Sequence, residues 1–266
     1  MPLWLWEKNL KMEKVCLIGL PCGKGDILFC QKIANHYQNL GYRFIWPVIH
    51  EYAYLKDYIP NIEWVSWDDK DRKLTHQDPL PDHVQFSHKE FYKPGNGHVF
   101  TDDFIFYDGF LNPGSNPVML NKYLEAKIDY KDWADYVIFK RNKDKENVLF
   151  YEILNLRDGE EYIFVNRNYQ MRPNLLFYPR ISVDPNNYGG KKVVEMNIVD
   201  GYSLFDWFKV IENASEIHMI ETSFNYIMEG PQLREKVSKK PLHLYSRHNW
   251  FGEVQYLFNL PWNYHT

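Results

Sequence analysis

Short apolar runs alternate with polar, glycine-bearing breaks along this chain. Residues 14–19, Lys-Val-Cys-Leu-Ile-Gly, have the length and composition of a buried strand. Pro21-Cys22-Gly23-Lys24-Gly25-Asp26 interrupts the run, and Ile27, Leu28, Ile33, Ala34 and Tyr37 then recur at helical spacing until Gly41. A second apolar run at 42–49 follows directly, so the opening reads as a β-α-β unit with parallel strands and a right-handed crossover. A third strand is expected at 62–67, closing on the acidic turn Asp68-Asp69-Lys70-Asp71.

The periodicity then dissolves. Up to Pro117 the chain carries Pro79, Pro81, Pro94, Pro113, Gly95, Gly97, Gly109 and Gly114, with one strand-like island at 104–107. Loops of that length in a compact domain are usually functional or disordered, and the aromatic content between Trp67 and Phe110 argues for ordered and functional ones. Asn116-Pro117 then supplies an N-cap and a first-turn proline, and Met119, Leu120, Tyr123 and Leu124 make the apolar stripe of the helix behind it.

Residues 140–147 are the most charged stretch, and Asp158-Gly159 is a turn signal, which places a lobe boundary between them. The alternation restarts afterwards, with strands at 162–165, 192–196, 216–220 and 242–245 and helices at 203–211 and 224–229. Residues 251–258 read as a terminal helix. The expected organisation is an N-terminal α/β lobe over 1–150, a C-terminal α/β lobe over 151–245, and a helical segment over 246–266 packing back on the first lobe. Both lobes would turn the carboxyl ends of their strands toward a central cleft.

Composition narrows the class. At 266 residues with 45% hydrophobic and 25% charged, the chain can bury a sizeable core and is not disordered. No run reaches the roughly 18 apolar residues of a membrane span, and the N-terminus lacks the basic stretch and cleavage site of a secretory signal. No integral membrane segment and a cytoplasmic location are therefore expected. A net charge of −4 without a basic block argues against nucleic acid as a partner. Three cysteines, Cys16, Cys22 and Cys30, form neither a disulfide framework nor a zinc motif. The 17% aromatic content suits a carbohydrate or nucleobase site, and equally an aromatic core.

Three strand-end loops carry candidate chemistry. Gly23-Lys24-Gly25-Asp26 lacks the closing residues of a Walker loop and the third glycine of a dinucleotide fingerprint. It remains a tight turn that admits a ligand near the backbone, with a carboxylate at a helix start where an ordinary cap would also sit. Glu221-Thr222-Ser223 precedes a helix and offers hydroxyls and free N–H groups to a diphosphate, or a plain N-cap. Arg167, within Asn166-Arg167-Asn168, follows the first strand of the second lobe and could hold a phosphate through two bonds, whereas most arginines are only solvated surface groups. His218, His243 and His248 are available for proton chemistry, although a histidine inside a strand is more often structural.

The loop Gly23-x-Gly25-Asp26-Ile27-Leu28 after a first strand, together with Ile220-Glu221-Thr222-Ser223 in the second lobe, resembles the heptosyltransferase-like glycosyltransferases of GT-B fold. Glu221 stands in place of that family's Asp, Ser223 in place of Gly, and Tyr226 in place of His. The fold the resemblance implies is α/β, with two Rossmann-like lobes facing a central cleft in a compact version of GT-B. The implied activity is sugar transfer from a nucleotide-diphosphate-sugar donor to a glycan or other hydroxyl acceptor, inverting and metal-independent, with no cofactor because the nucleotide-sugar is a substrate. Asp26 matches the catalytic base, and Thr222, Ser223 and Arg167 the donor diphosphate site. Glu195, Met196, Asn197 and Ser203 would hold the nucleoside, and Gly25 and His50 the acceptor. Two alternatives stand beside it: a metal-dependent GT-A-type transferase using Asp69 and Asp71, and a non-catalytic nucleotide- or sugar-binding module.

Overall fold

The structure, a computed structural model, describes residues 14–20, 23–68, 73–74, 99–100, 104–107, 118–167, 190–246, 251–252 and 254–266. Contacts divide the chain into two units. The first comprises Met1–Cys22, Ile33–Lys56 and Asn61–Ala126, and the second Gly23–Lys32, Asp57–Pro60 and Lys127–Thr266.

Among its described residues the first unit holds six strands: β1 (Val15–Ile18), β2 (Arg43–Ile49), β3 (Glu63–Asp68), β4 (Lys73–Leu74), β5 (Val99–Phe100) and β6 (Phe104–Tyr107). Their order is β4-β3-β2-β1-β6-β5. β1 pairs in parallel with β2 and β6, and β2 in parallel with β3. All four residues of β1 are buried, as a central strand covered on both faces requires, and this is why it reads as an unbroken apolar run. The two-residue strands β4 and β5 close the edges antiparallel, leaving little edge to pair with another chain. Trp46 is fully buried, and its indole N–H donates to the Leu20 carbonyl at 3.0 Å, so the large ring adds apolar burial without an orphan donor.

The segment expected as one helix is two, α1 (Lys24–Phe29) and α2 (Gln31–Asn39). Cys30 leaves helical geometry between them at φ −84° and ψ 6°. α1 groups with the second unit and most of α2 with the first, so the chain needs a break there that apolar spacing alone does not signal. Short helices α3 (Leu55–Tyr58), α4 (Val118–Ala126) and α5 (Lys143–Asn147) follow, the last running into a π-helical turn at Val148–Ile153.

The second unit holds β7 (Tyr162–Asn166), β8 (Lys192–Glu195), β9 (Glu216–Ile220), β10 (Leu242–Tyr245) and β11 (Asn263–His265), all parallel in the order β11-β10-β9-β7-β8. α6 (Phe208–Asn213) extends a 3-10 turn at Leu204–Trp207, and α7 (Ser223–Glu229), α8 (Pro231–Val237) and α9 (Val254–Leu257) complete it. On one sheet face Phe164 meets Trp207 and Phe224, with ring centroids 6.0 and 6.4 Å away. On the other, Ile163, Val165 and Ile220 pack with Val193 and Tyr245. The expected terminal helix shortens to α9, and the residues after it turn extended and join the sheet as β11. Glu229, fully buried at the end of α7, anchors that return. Its carboxylate accepts from the backbone N–H of Asn259 at 2.8 Å and of Leu260 at 3.1 Å, and from the Trp262 indole at 3.0 Å. Burial raises its pKa. Among the described residues no helix is long and apolar enough to cross a membrane.

Candidate functional site

In the second unit the first strand, β7, lies between β8 and β9, so the connections leaving it and β9 diverge to opposite sides. Crevices at the carboxyl ends of strands open at such a switch point. Arg167, Glu195, Met196, Thr222 and Ser223, all named from the sequence, are found at these strand ends. Arg167, just beyond β7, pairs with Glu195 at the end of β8, its Nε 3.0 Å and its Nη2 2.7 Å from the same carboxylate oxygen. The Met196 N–H donates to the Val165 carbonyl at 2.8 Å, which prolongs the β7–β8 ladder and holds the two side chains level. Across the switch point, the Asn166 amide donates to the Thr222 hydroxyl at 3.3 Å. Thr222 is the N-cap of α7: its hydroxyl accepts from the Phe224 N–H at 3.3 Å, and its own N–H donates to the Asn225 side chain at 2.6 Å. This reciprocal capping box fastens the loop after β9 to the end of β7. Ser223 opens the helix, half-buried, and Glu221 is half-buried before it.

The glycine turn belongs to the same unit. Gly23 adopts φ +83°, a left-handed conformation that a side chain would strain, and a Cβ there would stand 2.4 Å from Asp26 Oδ2. The Asp26 carboxylate therefore folds back over the turn, half-buried in the first turn of α1. Gly25 allows a second close approach. A Cβ at this position would lie 2.9 Å from Cε2 of Tyr226, so α1 rests against α7 through glycine on one side and an aromatic ring on the other. Tyr226 is itself wedged among Phe29, Trp133 and Phe258, at centroid distances of 6.4, 5.5 and 5.1 Å. Tyr226 thus serves as the packing contact that sets the first turn of α1, with Asp26, against α7. Burial lowers the pKa of neighbouring Lys24.

Asn197 also lies just beyond the end of β8, whereas Ser203 and His50 fall elsewhere. Asn197 is exposed, with its amide 3.4 Å from the Glu195 carbonyl. Ser203 caps the 204–207 turn: its hydroxyl accepts from Phe205 N–H at 3.2 Å, and its N–H donates to Asp206 at 2.7 Å. Asp206 is fully buried and also accepts from the Tyr58 hydroxyl at 2.8 Å. Burial pushes that phenol up to about 12. His50 is exposed after β2, in the first unit. His218 and His243 occupy β9 and β10, both with pKa lowered, chiefly by burial. Asp69, Asp71, His248 and most of the aromatic loops lie outside the described residues. The roles of Asn166, Tyr226 and Glu229 were not anticipated. Each sits beside a named motif, but only the strand register and helix packing bring it there.

The class defined so far is a pair of α/β sheets, the first parallel except at its two short edge strands and the second parallel throughout, with a polar cluster at the switch point of the second. No protein-family model matches the chain, and no curated protein matches it in sequence. Among solved structures it is similar to a glycosyl transferase family 9 protein from Veillonella parvula DSM 2008. The likeness covers 96% of this chain and 87% of the other, with a TM-score of 0.52 and 9% identity, and shows a shared fold.

Proposed function

We propose that the protein is a glycosyltransferase of GT-B type that moves a sugar from a nucleoside-diphosphate donor to a hydroxyl acceptor. The observation that carries it is the meeting of Arg167, Glu195, Asn166 and Thr222 at the switch point of β7–β9, in a fold shared along 96% of the chain with a family 9 glycosyl transferase. Arg167 takes the donor diphosphate by exchanging its bond to Glu195, or sharing it, in the two-bond geometry a guanidinium makes with phosphate oxygens. Thr222 and Ser223 face the same group from the start of α7. Glu195, Met196 and Asn197 hold the nucleoside at the end of β8. Ser203 is committed to its cap and is left out of this set.

Asp26 acts as general base. The acceptor oxygen attacks the anomeric carbon from the face opposite the diphosphate and passes its proton to the Asp26 carboxylate. The bond from the anomeric carbon to the diphosphate oxygen breaks, and the nucleoside diphosphate leaves with the electron pair, so configuration inverts. Arg167 balances the charge growing on the leaving group, so transfer needs no metal ion.

The test is a thermal-shift panel of UDP, GDP, ADP and CMP and their sugar conjugates, with and without magnesium, on the wild type and Arg167→Ala. A ligand of the folded state raises the melting temperature by mass action. One nucleoside diphosphate should raise it regardless of magnesium, and about tenfold more ligand should be needed in Arg167→Ala, as expected for a lost charge-assisted bond. No response anywhere in the panel would overturn the proposal, and a response seen only with magnesium would favour a metal-dependent transferase.

A further inference from the structure

The parallel pairing of β9, β10 and β11 stacks ionisable side chains on one face of the second sheet. Glu216 and His218 alternate on β9, and the register sets His243 beside His218 and His265 beside Tyr245. The His218 and His243 rings lie parallel, 4.3 Å apart with 4° between planes, and His265 stacks on Tyr245 at 4.6 Å. One ligand atom each from Glu216, His218 and His243 falls within a 4.8 Å span. Glu216 Oε1 lies 2.8 Å from His218 Nε2 and 3.5 Å from His243 Nε2.

The other nitrogen of each ring is held from behind: His218 Nδ1 is 3.0 Å from the Tyr245 hydroxyl, and His243 Nδ1 is 2.9 Å from His265 Nε2. If both Nδ1 atoms carry the proton and donate it to those partners, two Nε2 lone pairs and a carboxylate converge on one point. That arrangement repels itself without a cation and is the one a metal requires, with the distal nitrogen donating outward and fixing the tautomer. A tetrahedral zinc with bonds of about 2.0–2.2 Å spaces its ligands by about 3.4 Å; His243 Nε2 and Glu216 Oε1 stand at 3.5 Å, and His218 Nε2 and Glu216 Oε1, now at hydrogen-bond distance, would open from 2.8 Å to admit the ion.

We propose that Glu216, His218 and His243 bind one divalent ion of zinc type, with a fourth position left to solvent and with Tyr245 and His265 as positioning residues. Two imidazoles and one carboxylate suit zinc and its borderline neighbours, and not magnesium or calcium, which take oxygen ligands. Glu216 begins β9, whereas the donor residues sit at the carboxyl ends of β7 and β8. The ion thus ties β9 to β10, and through His265 it fixes β11. It stands apart from sugar transfer and does not depend on that proposal.

The experiment is equilibrium dialysis of protein without a histidine tag against zinc in excess magnesium, with metal content read by mass spectrometry. One zinc per chain is expected, with a rise in melting temperature that a chelator reverses. Glu216→Gln and His243→Gln, both at partly exposed positions, should each weaken binding at least tenfold. Tyr245→Phe should weaken it by about tenfold, the scale of an outer partner's loss. Cobalt replaces zinc as a second readout on the wild type alone, and it should give the intense visible bands of a four-coordinate nitrogen-bearing site. No stoichiometric zinc, an unchanged affinity in both single variants, or the pale spectrum of hydrated cobalt would each overturn the site.

Discussion

The two ends of the second sheet use similar residue types to different effect. At the carboxyl ends of β7 and β8, Arg167 and Glu195 neutralise each other, and Glu195 keeps 42% of its side-chain surface exposed. Such a pair contributes little to stability and can reorganise around an anion. Along the first halves of β9 and β10 the groups are Glu216, His218 and His243, with the His218 side chain only 3% exposed and each ring held from two sides. Groups gathered this tightly are built to stay in place. α7 reaches toward both regions: its N-cap Thr222 bonds Asn166, and its last residue, Glu229, holds the segment that leads into β11 and His265. One end is arranged to exchange partners, the other to keep them.

The strongest way to separate the two ends is at the chemistry. Asp26→Asn should cut transfer by about 10²–10⁴-fold, the usual contribution of a general base, while nucleoside-diphosphate binding and zinc binding stay at wild-type levels. Rates of diphosphate release in the presence of acceptor, set against thermal shifts, check this; full transfer activity in a folded variant would remove Asp26 from the mechanism.

Glu229→Ala should breach the independence of the two regions. It strips a buried acceptor from three N–H donors and should cost about 3 kcal/mol by denaturant unfolding, the upper range for orphaned buried groups. Zinc affinity should fall with it as β11 loosens, and an effect on stability without one on zinc would show that His265 needs no such anchor.

Thr222→Ala removes the cap of α7 and should cost about 1 kcal/mol. Donor affinity should drop and zinc affinity should not, a contrast that isothermal titration reads directly. Equal losses of both would mean that α7 moves as one rigid lever.

Tyr58 is a control lying at neither end. In the folded protein burial holds the Tyr58 phenol up to about 12, above its ordinary value of 10.0. The folded state therefore keeps a proton that the unfolded chain loses, and stability falls as pH rises from 10 toward 12. Tyr58→Phe should remove part of that alkaline loss and, through the lost bond to Asp206, cost about 1–2 kcal/mol at neutral pH. Denaturant titrations at pH 7 and above 10 give both quantities.

Much of the strand framework was legible in the residues. β1, β2 and β7 announce themselves as apolar runs because a central parallel strand is covered on both faces, while β9 and β10 show apolar residues alternating with His218 and His243. β11 was not legible, since Asn-Tyr-His has no apolar run and becomes a strand only by pairing with β10. The break at Cys30 was hidden because apolar residues continue on both sides of it. Pro231 and the spacing of Leu233 and Val237 do mark α8, a signal open to reading in advance. Of the candidate site, Arg167, Thr222 and Asp26 could be named from their places after strands, whereas the Arg167–Glu195 pair and the Asn166–Thr222 bond depend on which strands are neighbours.

Sequence by itself determined the alternation of apolar and polar segments, and with it the α/β class and the strand-end positions of the polar loops. Local chain geometry suffices for these, because period and turn chemistry act over a few residues. Tertiary structure alone decided that β7 lies between β8 and β9, that Gly25 receives the Tyr226 ring, and that Glu216, His218 and His243 share one face. His218 and His243 are 25 positions apart, and no local preference couples them. Only strand order and register, set by burying whole faces at once, bring their nitrogens within reach of one carboxylate.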